Sequence, residues 1–327
     1  MKKIVLCGGG TAGHVMPNLA LLPYLTGCEI HYLGGNGIEK ELVEANKNVT
    51  YHQIPCAKYV RGSLLKNLTV PFKLLSSIHA AKKVLHAIAP DVIFCKGGYV
   101  CLPVALSAGK IPLITHESDF SLGLTNRIIK NKCRYVCSSF APTVSKLKNG
   151  VFTGAILRRE IYLGVRTATH PTLLIMGGSL GSKAISDCVT SCVSELTKRY
   201  NVVHIVGKGK KTGTVTNGYT ELEFCSDMPS AYANADLIVS RGGANSLFEI
   251  AALKKKALVI PLPKGTSRGD QVENTNYFVS KNLVRSLSQS DLSPIRLIKE
   301  LEKLETFTPS HFIVDGTKKV AKIILDA

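Results

Sequence analysis

IVLCGGGTAG, at Ile4–Gly13, and LLIMGGSLGS, at Leu173–Ser182, are two occurrences of one pattern in a chain of 327 residues. Each begins with apolar residues that favour a buried strand, and continues with glycines that suit a tight turn before a helix. A strand, a glycine turn and a helix open a doubly wound α/β domain. The repeat therefore predicts two such domains rather than one large sheet.

Around these stretches, short β-rich segments alternate with helix-length amphipathic segments, which predicts parallel sheets built from βα units. The predicted strands are Lys3–Cys7, Glu29–Leu33, Tyr51–Ile54, Val92–Cys95, Leu113–Thr115, Tyr135–Ser138, Thr172–Met176, Asn201–Val206, Leu222–Phe224, Leu237–Ser240, Ala257–Pro261 and Leu283–Ser286. The predicted helices include Pro17–Leu25, Glu39–Glu44, Val70–Ile88 and Gly316–Leu325.

The alternation divides the chain into predicted domains. We predict an N-terminal domain over residues 1–160, a linker over 161–171 and a C-terminal domain over 172–310. A last helix, within 311–327, is expected to pack back on the N-terminal domain. We expect the active site in the cleft where the carboxyl ends of the two sheets face each other.

The composition is that of a globular protein with a substantial core, since 45% of the residues are hydrophobic and 20% are charged. It excludes disordered, collagen-like and disulfide-stapled chains. No apolar run approaches the roughly 18 to 20 residues that span a bilayer, and the apolar residues at the N-terminus are too few for a signal peptide. We therefore expect a protein that stays in the cytosol.

The formal net charge is +18, and residues 1–160 carry most of it, with 20 Lys and Arg against 8 Asp and Glu. Such a surplus favours polyanionic partners, which include nucleic acid, anionic lipid and phosphorylated substrates. Nucleic acid is disfavoured because only 6% of the residues are aromatic, Trp is absent and no recognition motif occurs.

Ten cysteines are scattered along the chain without a CxxC pair or a neighbouring set of His or Cys ligands. A metal site needs several ligands around one ion. We therefore expect no metal, and interpret the cysteines as small buried thiols in a reducing compartment.

The first glycine loop contains GxGxxG, at Gly8, Gly10 and Gly13, which is typical of dinucleotide-binding enzymes. Those enzymes need an acid at the end of the second strand, where this chain has Leu33–Asn36 instead. A nicotinamide or flavin cofactor is therefore disfavoured. The loop amides suit an anion, and His14 is a candidate general base for a hydroxyl. The alternative is that His14 only caps or orients the loop.

A second polar cluster, SRGGANSLFE at Ser240–Glu249, places a glycine turn between a strand and a helix. The turn amides suit a diphosphate, and the Glu249 carboxylate could accept hydrogen bonds from both hydroxyls of a ribose. The alternative is an acid that only complements the helix dipole. The polar loop Thr266–Asn274 is expected at the same rim, with amide side chains that suit sugar hydroxyls.

Seven motifs, in this order along the chain, resemble those of the MurG family. They are Gly8–Pro17, Lys96–Val100, His116–Glu117, Gly123–Asn126, Gly177–Gly181, Arg241–Glu249, and Gln271 with Asn274. The members of that family are UDP-N-acetylglucosamine:lipid I N-acetylglucosaminyltransferases of peptidoglycan synthesis. The resemblance covers nearly the whole chain.

The resemblance implies a GT-B fold, in which two doubly wound Rossmann-like domains face each other across a cleft. It places UDP-GlcNAc on the C-terminal domain and the lipid-linked acceptor, lipid I, on the N-terminal domain. The implied product is lipid II, formed with inversion of the sugar and without a cofactor. The sequence contains no DxD motif for a metal, and helix N-termini would stabilise the leaving diphosphate instead.

The resemblance also implies roles for individual residues. Glu249 would bind the ribose, the Cys225 backbone the uracil, Arg158 the nucleotide, and Gln271 and Asn274 the GlcNAc hydroxyls. The implied contacts with the diphosphate and the adjoining donor segment are Ser179, Ala244, Asn245, Ser246, Leu247 and Phe248. Thr11, Ala12, Gly13 and Asn126 would border the sugar and the acceptor, with His14 or Asp119 as the catalytic base.

Two positions depart from the family pattern. The chain has Ser118 and Asp119 where the family often has Gln and Asn, so Asp119 becomes a second candidate base. Ala12 stands where a glycine is usual, and its methyl group is tolerable only if φ is negative there.

Lys58–His86 mixes basic and apolar residues, which suits peripheral binding to an anionic membrane. The alternative is a solvated helix face whose apolar stripe belongs to the core. The resemblance implies action at the cytoplasmic face of the cell membrane, with other cell-wall synthesis proteins as further partners.

The competing functions are a GT-B transferase with another acceptor such as a diacylglycerol, a nucleotide-sugar epimerase, and a binding module.

Overall fold

The computed structural model describes residues 1–56, 69–178, 181–265, 269–312 and 314–327. The described chain forms two compact units. Unit 1 comprises Met1–Arg158 together with Asp315–Ala327, and unit 2 comprises Arg159–Val314. No helix among the described residues has the length and apolar character needed to cross a membrane.

Within its described residues, unit 1 holds a seven-stranded parallel sheet in the order β3-β2-β1-β4-β5-β6-β7. The strands are β1 Lys3–Cys7, β2 Glu29–Gly34, β3 Val49–Gln53, β4 Val92–Cys95, β5 Leu113–Glu117, β6 Tyr135–Ser138 and β7 Gly150–Phe152. The helices are α1 Ala12–Leu21, α2 Ile38–Glu44, α3 Val70–Ile88, α4 Cys101–Ser107, α5 Leu124–Ile129 and α6 Ala141–Val144. Buried apolar side chains cover both faces of the sheet, as doubly wound sheets require.

Unit 2 repeats this design with a six-stranded parallel sheet, again counted over its described residues, in the order β10-β9-β8-β11-β12-β13. The strands are β8 Thr172–Met176, β9 Asn201–Ile205, β10 Tyr219–Leu222, β11 Leu237–Ser240, β12 Lys256–Val259 and β13 Arg285–Ser286. The helices are α7 Lys183–Leu196, α8 Met228–Asn234, α9 Ala244–Ala252, α10 Asp270–Ser280 and α11 Pro294–Glu305.

Each sheet has a switch point, where the strand order reverses direction. In unit 1 it lies between the neighbours β1 and β4, and in unit 2 between β8 and β11. The carboxyl ends of these strands lead into the glycine turns at 8–10, 97–98, 177–178 and 242–243. Because ligands of doubly wound sheets bind outside the carboxyl ends at the switch point, the fold alone places a candidate site in each unit.

Most of the predicted strands are present, and the differences occur where the pattern is weakest. The strand predicted at Leu222–Phe224 lies earlier, at Tyr219–Leu222, and β7 was not predicted. Both are edge strands, so their sequences lack a buried apolar run. Helix α1 begins at Ala12, five residues before the predicted start at Pro17, and contains that proline in its interior.

The last helix, α12, at Thr317–Leu325, belongs to unit 1. Its Val320, Ala321 and Ile324 pack in the core that contains β1. The Lys2 ammonium donates to Leu325 O at 2.6 Å, so the two ends of the chain are adjacent in unit 1. Where the chain returns, Ala155 forms a parallel bridge with Asp315.

The structure groups residues 161–171, predicted as a linker, with unit 2. Arg159 and Glu160, at the end of the predicted N-terminal domain, and residues 311, 312 and 314 also belong to unit 2. Arg166 pairs with Asp236 at 3.0 Å, and the backbone N–H groups of Thr167 and Ala168 donate to Asn234 Oδ1, each at 2.7 Å. These bonds attach the segment to α8 and to the start of β11.

The return of the chain to unit 1 depends on one buried hydroxyl, and we expect its loss to destabilise that unit. Thr317 Oγ1 accepts from Leu157 N at 2.9 Å and donates to Asp315 Oδ1 at 2.6 Å. Thr317→Val keeps the shape and leaves the buried Leu157 N–H without this acceptor, which should cost about 1–3 kcal/mol. Urea unfolding followed by circular dichroism measures the change.

Thr50→Val is the matched control, because Thr50 is exposed on β3 of the same unit and should change stability by less than about 0.5 kcal/mol. Equal effects of the two substitutions would show that the Thr317 hydroxyl does not hold the returning chain.

Candidate active site

The first glycine turn of unit 1 is fixed by a buried carboxylate that the sequence analysis did not assign. Glu39, in the first turn of α2, accepts from Gly10 N and from Gly35 N, both at 3.1 Å. It therefore joins the loops that follow β1 and β2. A dinucleotide enzyme would bind the ribose of its cofactor with an acid near this position. Here the Glu39 carboxylate is instead hydrogen-bonded to backbone N–H groups. A sequence signal existed, since Glu39 lies four residues after Gly35 in a predicted helix.

His14 lies in the first turn of α1, and hydrogen bonds fix its ring. Its Nδ1 is 3.1 Å from Gly9 O and 3.1 Å from Thr11 Oγ1. Because a carbonyl oxygen only accepts, we assign the proton to Nδ1, which leaves Nε2 of the neutral ring as an acceptor. Burial, followed by the positive charge of Lys96, lowers the pKa of His14. Both effects favour the neutral ring, which is the form that a general base requires.

The turn after β4 packs against the same ring. Gly97 and Gly98 have φ of +103° and +83°, and a Cβ on Gly98 would stand 2.6 Å from Gly9 O and 3.1 Å from His14 Nδ1. A side chain at this position would therefore collide with the turn that holds the histidine. The two glycine turns of the switch point are in direct contact because neither carries a side chain.

Lys96, which precedes these glycines, is a buried cation in the same site. Its Nζ donates to Ser118 Oγ, and burial lowers its pKa to about 8, against the opposing effect of Glu117 and Asp119. Lys96 is the first residue of the Lys96–Val100 motif, but no role was predicted for it from the sequence. Its charge also contributes, after burial, to the lowered pKa of His116, whose Nε2 lies 3.2 Å from Gly154 O.

Glu117, at the end of β5, organises the loop that carries Asp119. Its carboxylate accepts from Gly123 N at 2.7 Å, from Asp119 N at 3.1 Å and from Asn126 Nδ2 at 2.9 Å. Asn126 Oδ1 in turn accepts from Thr115 Oγ1 at 2.6 Å. Asn126, predicted to bind substrate, is thus buried with both ends of its amide bonded inside unit 1, so its observed contacts position the loop.

The other predicted residues of unit 1 lie at the start of α1 and at the end of the unit. Thr11 is the exposed N-cap residue of α1, and Ala12 and Gly13 are its first two helical residues. Ala12 does not have a positive φ, so its methyl group fits the position where the family usually has glycine. Arg158, half-buried, is the last residue before the chain enters unit 2.

In unit 2, the turn Arg241–Gly243 and the N-terminus of α9 form the switch-point site. A Cβ on Gly242 would stand 2.4 Å from Thr275 Oγ1 and 2.6 Å from Gln271 O, so α10 packs directly on this turn. Ala244, Asn245 and Ser246 are the first residues of α9. The first N–H groups of a helix have no partner within it, which suits them to a phosphate.

Two members of the predicted binding segment belong to the core instead. Leu247 and Phe248 are fully buried, and the Phe248 ring packs edge-on against Phe278 with centroids 5.0 Å apart. Any contact that these two residues make with a substrate would therefore come from their backbone rather than from their side chains. They lie on the inner face of α9, whereas the predicted contacts Asn245, Ser246 and Glu249 are only partly buried.

Glu249 and the two amide residues are attached to neighbouring elements. Glu249 Oε2 accepts from Tyr232 OH at 2.9 Å, and Gln271 Oε1 accepts from Leu262 N at 3.0 Å. Asn274 Nδ2 donates to Gly242 O at 3.2 Å, and this side chain is completely buried. The structure therefore places Asn274 beneath the glycine turn, which its amide supports; its contact with GlcNAc stays a prediction.

Arg241 is a further residue that the sequence analysis did not assign. Its buried guanidinium donates to Ile260 O at 3.0 Å, to Ser182 Oγ at 2.6 Å and to Gln289 Oε1 at 2.7 Å. It thereby joins the segments that follow β8, β11, β12 and β13.

Two further residues were predicted to contact the donor. Cys225 is half-buried in the loop after β10, and Ser179 lies outside the described residues.

Comparisons with known proteins agree with this arrangement. The glycosyltransferase family 28 N-terminal domain matches residues 4–138, and the family 28 C-terminal domain matches residues 172–322. Two UDP-N-acetylglucosamine–N-acetylmuramyl-(pentapeptide) pyrophosphoryl-undecaprenol N-acetylglucosamine transferases are close relatives. The one from Clostridium kluyveri is 41% identical over 99% of both chains, and the one from Lachnospira eligens is 42% identical over 100% of this chain and 99% of its own.

A crystal structure of Acinetobacter baumannii MurG covers 100% of both chains, with a TM-score of 0.79 at 26% identity. The GT-B fold predicted from the sequence is thus confirmed. Both domain models, the two curated relatives and the solved structure agree, and the chain belongs to the MurG family of glycosyltransferase family 28.

Proposed function

We propose that this protein transfers GlcNAc from UDP-GlcNAc to the MurNAc 4-hydroxyl of lipid I, which forms lipid II in peptidoglycan synthesis. Membership of the MurG family supports this reaction, since its relatives carry that activity in their names. The observation that supports the chemistry is the position of the His14 ring, whose Nδ1 lies 3.1 Å from Gly9 O beside the glycine turn after β4.

Unit 2 is proposed to hold the donor. The Glu249 carboxylate would accept from the ribose hydroxyls, and the backbone N–H groups at the start of α9 would bind the diphosphate. The Cys225 backbone would contact the uracil, and Gln271 the GlcNAc hydroxyls. As the bond between the anomeric carbon and the β-phosphate oxygen breaks, negative charge grows on the diphosphate. Amides that are already oriented stabilise this charge without reorganisation.

Unit 1 is proposed to hold the acceptor and the base. The acceptor hydroxyl gives its proton to His14 Nε2, and its oxygen attacks the anomeric carbon on the side opposite the leaving UDP. The configuration therefore changes from α in the donor to β in the product. Lys96 acts through its charge, which, after burial of the ring, lowers the pKa of His14 and so favours the unprotonated form. Asp119 remains the alternative base.

The reaction is tested by release of UDP from UDP-GlcNAc, with and without a soluble lipid I analogue, in the presence of EDTA. Release that requires the analogue and survives the chelator supports the proposed transfer without a metal. Conversion of UDP-GlcNAc to another sugar nucleotide without the analogue would instead identify an epimerase. Release only with a different acceptor, such as a diacylglycerol, would replace lipid I.

Glu249→Ala should weaken the donor site. A charge-assisted hydrogen bond is worth about 1.5–3 kcal/mol, so we expect the KM for UDP-GlcNAc to rise by about 10- to 100-fold. Steady-state kinetics of UDP release at a fixed acceptor concentration measure the change. Glu195→Ala, at an exposed position on α7 of the same unit, should leave the KM unchanged. An unaltered KM in Glu249→Ala would contradict the assigned ribose contact.

Lys96→Met should move the acid limb of the pH–rate profile to higher pH. A base works only when unprotonated, so the rate falls as pH drops through the pKa of His14, which lies below its ordinary value of about 6.5. Lys96 is charged in this range because its own pKa is about 8. Removing the charge lets the pKa of His14 rise, and with it the pH at which activity is lost.

The exposed Lys132→Met is the control for this profile and should leave the limb in place. Asp119→Asn should also keep the limb, because a carboxylate base would titrate near pH 4. If Asp119→Asn abolished the limb, the base would be Asp119 rather than His14.

We further propose that α3 brings unit 1 to an anionic membrane. Its buried stripe consists of Ser77, Ala81, Leu85 and Ile88, but Phe72 and Leu75 lie outside that stripe, with 75% and 65% of their surfaces exposed. The exposed Lys73, Lys82 and Lys83 are on the same helix. Exposed apolar and basic side chains together favour peripheral binding to anionic lipid. Of the predicted segment Lys58–His86, residues 58–68 lie outside the described residues.

The double variant Phe72→Ser/Leu75→Ser should lose most of its binding to vesicles that contain phosphatidylglycerol, as measured by co-sedimentation. Binding of the unmodified chain should weaken as salt is added, because exposed charges are screened. Ile38→Ser, at an exposed apolar position of α2, should bind like the unmodified chain. Equal co-sedimentation of all three proteins would exclude α3 as the membrane contact.

A further inference from the structure

Three cysteines that are far apart in sequence meet beneath the candidate active site of unit 1. Cys7 ends β1, Cys95 ends β4, and the two are register partners in neighbouring strands. Cys101 is the first residue of α4. The three sulfurs lie within 4.8 Å of one another, and all three side chains are fully buried. The spacing of positions 7, 95 and 101 gave no sign of this cluster, and the expectation that no metal is bound stays a prediction.

The number of ligands limits what such a cluster could hold. Within the part of the chain that the structure describes, the group comprises these three thiols alone. Structural zinc is almost always held by four ligands. A complex of a divalent cation with three thiolates also carries a net charge of −1, which is expensive to bury. Trivalent arsenic differs on both counts, because it forms three bonds to sulfur and the product is neutral.

We propose that Cys7, Cys95 and Cys101 form a buried site for a trivalent metalloid, of which arsenous acid is the simplest. One As(OH)₃ and three thiols give As(SR)₃ and three waters. Three As–O and three S–H bonds break, and three As–S and three O–H bonds form. Arsenic stays trivalent and the sulfurs stay reduced, so neither an oxidant nor a reductant is needed.

Forming these bonds changes the contacts of the Cys101 sulfur. Its S–H group lies 3.3 Å from Cys7 O and 3.0 Å from Gly97 O, at the points where β1 and β4 enter their glycine turns. The S–H hydrogen leaves as water when the As–S bond forms, so both carbonyls lose this donor. Those turns hold His14, so an occupied site should slow the transfer, a consequence that rests on the proposed function.

The binding is tested on the reduced full-length chain with sodium arsenite, by intact mass under native conditions. The expected adduct gains one arsenic and loses three hydrogens, which distinguishes it from a two-thiol adduct that retains one As–OH. Because the thiols are buried, we expect the adduct to form slowly. Cys101→Ala and Cys95→Ala should each lose the three-thiol adduct. Cys133→Ala is the matched control, since Cys133 is buried in the same apolar core, and it should keep the adduct.

Circular dichroism establishes that each variant is folded before its mass is compared. Absence of the three-thiol adduct in the unmodified chain would overturn the proposal, as would its persistence in folded Cys101→Ala. Binding of Zn²⁺ in place of arsenic, at one equivalent and dependent on the same three cysteines, would overturn the ligand class. Slower UDP release with arsenite in the unmodified chain, but not in Cys101→Ala, would support the link to catalysis. The mass measurement stands even if the chain lacks transferase activity.

Discussion

The contact on which unit 1 depends is the approach of two backbone turns at its switch point. Gly9 O lies where a Cβ on Gly98 would stand, and the His14 ring packs against both turns. No side chain larger than hydrogen fits there, so the turns that follow β1 and β4 approach each other through their backbones. The position of His14 is therefore set by the sheet, because its strand order places the ends of β1 and β4 side by side. Unit 2 uses the same device, with Gly242 beneath α10.

Buried charged side chains hold the loops around the glycine turns in place. Glu39 and Glu117 accept from backbone N–H groups, and Arg241 donates to a carbonyl and two polar side chains. Glu39 and Arg241 each join loops that come from different strands, and Glu117 ties together the loop that follows β5. A buried ion bonded in this way adds little net stability compared with an apolar residue, but losing its partners is costly. The loops are thus held in one arrangement by ions that do not themselves need to touch a substrate.

The sequence was most informative where a single residue type had to occupy a position. Glycine turns after apolar runs predicted two doubly wound domains, and the buried runs predicted the central strands. Edge strands such as Tyr219–Leu222 were misplaced because half-exposed residues carry no such pattern.

Side-chain direction was the main limit for the site. Leu247, Phe248 and Asn274 belong to the right motifs, but spacing along a helix does not say which face meets the core. Lys96 and the three cysteines were missed because their neighbours in space come from distant parts of the chain.

The return of α12 to unit 1 has a consequence for the order in which the protein can fold. Val320, Ala321 and Ile324 of this helix complete the core of unit 1. The strands of that core are synthesised before unit 2, whereas these three residues are synthesised after it. During synthesis, the apolar surface of unit 1 that α12 covers therefore stays exposed until unit 2 has been synthesised. A nascent chain stalled before Thr317 would leave that surface exposed, so unit 1 cannot complete its core until the residues of α12 have been synthesised.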